Sequence, residues 1–240
     1  QNNLIGSINL INASILHKVE CFVFTSSIAV YGATNPPMKE TDSPQPEDPY
    51  GIAKFAIEQD LKAAKEMFGL NYIIFRPHNV YGEFQNIGDR YRNVVGIFMN
   101  QLMQGNDLTI FGDGSQTRAF SYIGDIAPQI AASVLNPLAI NEIFNIGADQ
   151  EYTVKELAET TQKIMGLSGK LKFLEARNEV VHAYADHSKA KRVFKLDECT
   201  SLGTGLKQMG DWARNNGSRK SSIFNEIEIK ENIPAIWLED

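Results

Sequence analysis

A chain of 240 residues, 43% hydrophobic and 22% charged, has an ordinary globular composition and enough length to bury a real core. Its net charge of −6 argues against general nucleic-acid binding, and no apolar run approaches the roughly 18 residues of a membrane span. Two cysteines far apart in sequence, Cys21 and Cys199, argue against a disulfide framework and for a reducing, cytoplasmic setting.

Leu4, Ile8, Ile11 and Ile15 recur at helical spacing, which predicts an opening amphipathic helix. "CFVF" reads as a buried strand that ends in the small hydroxyl residues Ser26 and Ser27. A Pro-rich loop follows, then the helical pattern "YGIAKFAIEQDLKAAKEMFG", stopping at Gly69, then a second buried strand, "NYIIFRP". This alternation predicts an α/β fold with a parallel, doubly wound sheet. After "NVYG" a polar loop runs to about Arg92. "VVGIFMNQLMQG" is helical, "LTIF" a short strand, "AFSYIGDIAPQIAASVLN" a strand leading into a helix, and "EIFNIG" a further strand. In "YTVKELAETTQKIMG", Thr153 is the expected N-cap with Glu156 three residues on. The last third mixes short strands and helices. The tail from Ser218 keeps Ile223, Phe224, Ile227, Ile229 and Trp237 and is expected to pack on the body.

Tyr50 and Lys54 are four residues apart at a helix start, so both lie on one face. A free tyrosine, with a pKa near 10, is too weak an acid to act as a base at neutral pH, and a nearby ammonium would lower that value. Ser27, at a strand end, could orient the same substrate hydroxyl. Taken alone, Tyr-x-x-x-Lys fits an ordinary helix start with a solvent lysine. A strand ending in serines, followed by Pro-Tyr-x-x-x-Lys opening the next helix, is far more specific. His17, His182 and His187 show no metal-ligand spacing, so no metal is expected.

"TSSIAVYG", "DPYGIAK", "FRPHNVYG", "TIFGDGSQTRAFSYIGD" and "FNIG" occur in the order that resembles the extended short-chain dehydrogenase/reductase family, above all its NAD-dependent sugar-nucleotide epimerases. The resemblance implies a partial Rossmann-like sheet with a smaller α/β substrate-binding lobe. Residues 1–82 would be the C-terminal part of a dinucleotide-binding domain, and 83–240 mainly the substrate lobe, with a return to the sheet around 119–147. It implies NAD as cofactor and a UDP-sugar as substrate, with 4-epimerisation through a 4-keto intermediate. Tyr50 would take the proton of the sugar 4-hydroxyl as a hydride passes to NAD. Lys54 would lower the Tyr50 pKa and contact the nicotinamide ribose, and Ser27 would hydrogen-bond the 4-oxygen. Ser26, Pro77 and His78 would line the cofactor. Related dehydratases and decarboxylases carry acidic residues just after the catalytic hydroxyl, where this chain has Ile28 and Ala29, so both chemistries are disfavoured.

For the nucleotide-sugar, the resemblance implies Asn79 and Asn93 at the diphosphate-sugar, Thr109 and Phe111 at the uracil, and Arg118 and Arg177 at the diphosphate. It also implies Glu179 at the ribose and Ala183 beside the sugar 2-substituent, where a small residue would admit an N-acetyl group. It implies a homodimer through the helices matching Leu4 to His17 and Tyr50 to Phe68. No glycine-rich dinucleotide turn of G-x-G-x-x-G spacing occurs, and the chain opens at a helix placed midway through the family's nucleotide domain, so a fragment is expected. Another nucleotide-sugar reductase or epimerase of the family is the alternative, as is a non-catalytic nucleotide-sugar-binding protein.

Overall fold

The computed structural model describes residues 2–176, 182–196 and 199–221. In chain order the main elements are α1 (Ser7–Leu16), β1 (Cys21–Thr25), α2 (Pro49–Phe68), β2 (Asn71–Pro77), β3 (Val80–Tyr81), α3 (Val94–Met103), β4 (Leu108–Phe111), β5 (Thr117–Ala119), β6 (Ser121–Tyr122), α4 (Ile123–Ala132), β7 (Glu142–Ile146), β8 (Glu151–Thr153), α5 (Val154–Met165), β9 (Leu171–Leu174), β10 (His182–Ala183), α6 (Ser188–Phe194) and α7 (Leu202–Asn216). They fall into two compact units. The first comprises Gln1–His78, Gly124–Gln150 and His182–Cys199, the second Asn79–Ile123, Glu151–Val181 and Thr200–Asp240.

The first unit is built on a parallel sheet of order β1-β2-β7, with Phe24 opposite Ile74 and Phe75 opposite Phe144. β2 is buried along its whole middle, which explains its unbroken apolar run, since a central parallel strand is covered on both faces. Tyr72 and Ile74 pack with Ile11 of α1 and with Ile57 and Leu61 of α2. Phe75 points the other way and stacks on Phe144 at 5.7 Å, and Phe144 meets Phe194 of α6 at 4.9 Å. The expected α/β architecture is therefore present. α2 starts because Asp48 caps it, accepting from the Gly51 N–H at 2.6 Å, with Pro49 in its first turn. It stops at Gly69, whose φ of 79° is the left-handed conformation a helix end favours.

In the second unit, α3, α5 and α7 share a core that includes Phe98, Met99, Leu157, Leu206 and Met209. Three short strand pairs accompany them: β3 with β6 and β4 with β9 in parallel, and β5 with β8 antiparallel. The capping box of α5 is formed on both sides. Thr153 Oγ1 accepts from the Glu156 N–H at 3.0 Å, and the Thr153 N–H donates to Glu156 Oε2 at 2.7 Å.

Candidate active site

The Ser26 N–H donates to the Phe75 carbonyl at 2.7 Å, which continues the ladder one residue past β1. Ser27 thus arrives at the carboxyl end of the sheet. Its Oγ accepts from the Ala29 N–H at 3.2 Å and caps the tight turn Ile28–Tyr31. The first turn of α2 lies directly against this turn. Gly51 allows the approach, because a Cβ there would stand only 2.6 Å from the Ala29 carbonyl oxygen. Tyr50 thereby comes close enough to Ser27 for that side chain to act on its pKa. Tyr50 is 45% exposed, so a ligand can reach it. Lys54 Nζ donates to the Thr25 carbonyl at 2.8 Å and lies 5.6 Å from the Tyr50 ring centre.

Burial raises the Tyr50 pKa, the nearness of Ser27 lowers it, and the Asp48 charge raises it again. Lys54 is not among these influences. Its ammonium is bound to the Thr25 carbonyl and faces the rings of Phe24, at 4.9 Å, and Tyr50, and burial lowers its own pKa.

Ser26 is 2% exposed and gives its hydroxyl proton to Glu58 Oε1 at 2.6 Å, inside a buried network that sequence reasoning missed. Pro77 ends β2, and His78 follows it, buried, with Nε2 2.9 Å from Nε2 of His187. Nδ1 of His187 is 2.8 Å from Asp149 Oδ1, and Lys191 pairs with the same carboxylate. The His187 hydrogen bond, with help from Lys191, holds the Asp149 carboxyl well below the usual carboxylate range. Nothing in the local pattern around His187 points to this chain. Ala183 in β10 is half-buried and packs on the cluster of Ile28, Val30 and Tyr31.

The second unit holds a cleft of about 230 Å³ whose lining includes Asn79, Asn93, Thr109, Phe111 and Arg118. Residues from "FRPHNVYG", from "TIFGDGSQTRAFSYIGD" and from the helix start between them are thereby brought together. Asn79, at φ 41°, donates from Nδ2 to the Ala119 carbonyl at 3.2 Å. Asn93 precedes α3 in the left-handed region, at φ 65°, and its side chain does not cap the helix. Thr109 is held by Gln101, which donates to its hydroxyl at 2.9 Å and accepts from its N–H at 3.3 Å. Arg118 is half-buried, with Nη1 donating to the Thr117 carbonyl at 2.8 Å. A helix N-terminus, a guanidinium and an amide on one concave wall suit an anionic ligand, and Phe111 offers a flat face beside them. Arg177 and Glu179 lie outside the described residues.

The model of the NAD dependent epimerase/dehydratase family matches residues 1–147. The chain belongs to this family. It is similar to the UDP-glucose 4-epimerase of Thermotoga maritima, solved with UDP-glucose, at 33% identity and a TM-score of 0.81 over 89% of this chain and 70% of that one. The UDP-N-acetylglucosamine 4-epimerase of Methanobrevibacter ruminantium, in complex with UDP-N-acetylmuramic acid, is 28% identical with a TM-score of 0.84 over 90% and 70%. The UDP-glucuronic acid 4-epimerase of Bacillus cereus, with UDP-glucuronic acid and NAD, is 29% identical with a TM-score of 0.82 over 89% and 68%. The family expected from the motifs is thus the one found, and it is a family of NAD-dependent enzymes.

NAD is the family's cofactor, and the carboxyl end of the sheet fits its nicotinamide end. Tyr50 and Lys54 offer a phenol and an ammonium suited to a ribose, with Pro77 and His78 at the end of β2. The 240 residues contain no glycine-rich turn of G-x-G-x-x-G spacing for the pyrophosphate. Among the described residues, no cluster of His, Cys, Asp and Glu could hold a metal, and no helix is long and apolar enough to cross a membrane.

Proposed function

We propose that the protein is a UDP-sugar 4-epimerase that interconverts UDP-glucose and UDP-galactose through a 4-keto sugar. The observation that carries this reading is the meeting of Ser27, at the carboxyl end of β1, with the start of α2, where Tyr50 is accessible and Lys54 lies over its ring. Bound NAD supplies the acceptor and donor of a hydride at sugar C4. Ser27 orients the 4-oxygen. The Tyr50 phenol, in its ionised form, takes the 4-hydroxyl proton and gives it back to the oxygen of the inverted centre. Lys54 keeps a positive charge beside the site. Ile28 and Ala29 bring no further acid or base beside Ser27, which disfavours elimination and decarboxylation.

The cleft lined by Asn93, Phe111 and Arg118 supports a nucleoside diphosphate as the handle of the substrate, and the similar enzymes are solved with UDP-sugars. The small Ala183 supports turnover of UDP-N-acetylhexosamines as well. The unpaired Cys21 and Cys199 support a cytoplasmic setting, and exposed Leu10 and Leu16 on α1 with Ile52 and Met67 on α2 support a homodimer through these helices.

The test is incubation of the NAD-loaded protein with UDP-galactose or UDP-N-acetylgalactosamine and proton NMR of the anomeric signals. Appearance of the gluco epimer from each, abolished in Tyr50→Phe, is the expected result. Turnover of UDP-galactose alone would remove the Ala183 argument, and no turnover of either would remove the epimerase reading.

A further inference from the structure

Glu58 lies one helical turn beyond Lys54 and two beyond Tyr50, on the same face of α2. It is 0% exposed, and its carboxylate takes three hydrogen bonds. Oε1 accepts from Ser26 Oγ at 2.6 Å and from Arg76 Nε at 2.9 Å, and Oε2 accepts from Arg76 Nη2 at 2.5 Å. Arg76, in β2, is also buried, with its guanidinium 4.7 Å from the Tyr31 ring. Burial pushes the Tyr31 phenol up to about 12, so it stays protonated and donates to Asn145 Oδ1 of β7 at 2.8 Å. One carboxylate therefore ties the helix of Tyr50 and Lys54 to the residue before Ser27 and, through Arg76, to the centre of the sheet.

Packing alone does not call for such a pair. Replacing a buried ion pair by apolar side chains of similar volume is often neutral or stabilising, because desolvation offsets the attraction. Apolar contact presses a helix onto a sheet but resists sliding weakly. Directed hydrogen bonds to two strands fix where along the sheet the helix sits. We propose that Glu58 is a positioning residue, which through Ser26 and Arg76 holds Tyr50 and Lys54 in register with Ser27. The proposal rests on the reading of Ser27, Tyr50 and Lys54 as the catalytic group.

Two variants of the NAD-loaded protein test it, each followed by kcat, KM and the pH titration of the Tyr50 ¹³Cζ NMR signal, assigned with Tyr50→Phe. Ser26→Ala removes one bond and leaves the ion pair. The double variant Glu58→Met/Arg76→Met keeps volume and removes both charges. Expected are a kcat lower by roughly tenfold in the first and roughly 100-fold in the second, KM within about twofold, and a displaced Tyr50 titration in both. The double variant should unfold no earlier than the parent. Parental kcat and an unmoved Tyr50 titration in Ser26→Ala, or in a folded double variant, would overturn the positioning role. Full activity in Tyr50→Phe would instead overturn the catalytic reading on which it stands.

Discussion

Replacing Gly51 by alanine probes how closely α2 must approach the Ser27 turn. The new Cβ would stand 2.6 Å from the Ala29 carbonyl oxygen and 3.1 Å from Pro46 Cβ. The first atom belongs to the backbone, so no rotamer change relieves the clash. Ordinary contact begins near 3.4 Å, so the first turn of the helix must retreat by about 0.8 Å. Tyr50 precedes Gly51 and retreats with it, away from Ser27. A misplacement of about 1 Å in a reacting group costs on the order of 100-fold in rate. The expected kcat is therefore lower by roughly 30- to 100-fold, with KM changed less than about threefold, because the cleft residues are untouched. Stability moves little. Alanine gains up to about 1 kcal/mol of helix propensity over glycine, set against about 1–3 kcal/mol of overpacking, a net loss of a few degrees in melting temperature. Steady-state rates of UDP-galactose conversion and circular-dichroism melting measure the two effects separately. A Gly51→Ala protein with kcat within threefold of the parent would refute the claim that this contact sets the catalytic geometry.

Ser27→Ala removes the hydroxyl whose nearness lowers the Tyr50 pKa, so Tyr50 should ionise at still higher pH and the rise of kcat/KM with pH should shift upward; a profile at the same or lower pH counts against the assignment. Asp149, depressed by His187 and Lys191, contributes stability that is complete above its unfolded pKa near ~3.9 and is lost as pH falls through and below that value. Asp149→Asn should lower stability at neutral pH and flatten the acid limb of unfolding followed by fluorescence, whereas an acid limb parallel to the parent's would contradict the pairing. Arg118→Ala should weaken UDP binding by roughly 10- to 100-fold in a calorimetric titration, the range of a lost charge-assisted hydrogen bond, and unchanged affinity would exclude Arg118 from the site.

The sheet and its main helices were readable because each imposes a local pattern. "NYIIFRP" is apolar throughout since β2 is covered on both faces, and Pro49 and Gly69 mark the ends of α2 by their backbone preferences. Ser27, Tyr50 and Lys54 were readable because a strand ending in serines and Pro-Tyr-x-x-x-Lys opening the next helix together make a family pattern, although 22 residues lie between Ser27 and Tyr50. The partners that steady them were not. Glu58 and Arg76 do carry a signal, a charge inside an apolar helix face and a charge inside an apolar strand, but nothing local pairs them. His78 and His187 stand far apart in sequence, and only the packing of α6 beside β7 brings them into contact. Spacing puts Lys54 on the face of Tyr50, whereas its hydrogen bond to the Thr25 carbonyl shows only in the folded chain.

The most direct test of the account uses UDP-glucose carrying deuterium at C4, incubated with the NAD-loaded protein and followed by proton and deuterium NMR. An epimerase that works through Tyr50 and a 4-keto sugar predicts UDP-galactose that keeps its deuterium at C4, and none of it from Tyr50→Phe. Product that has lost the label, or a Tyr50→Phe protein that still inverts C4, would contradict it.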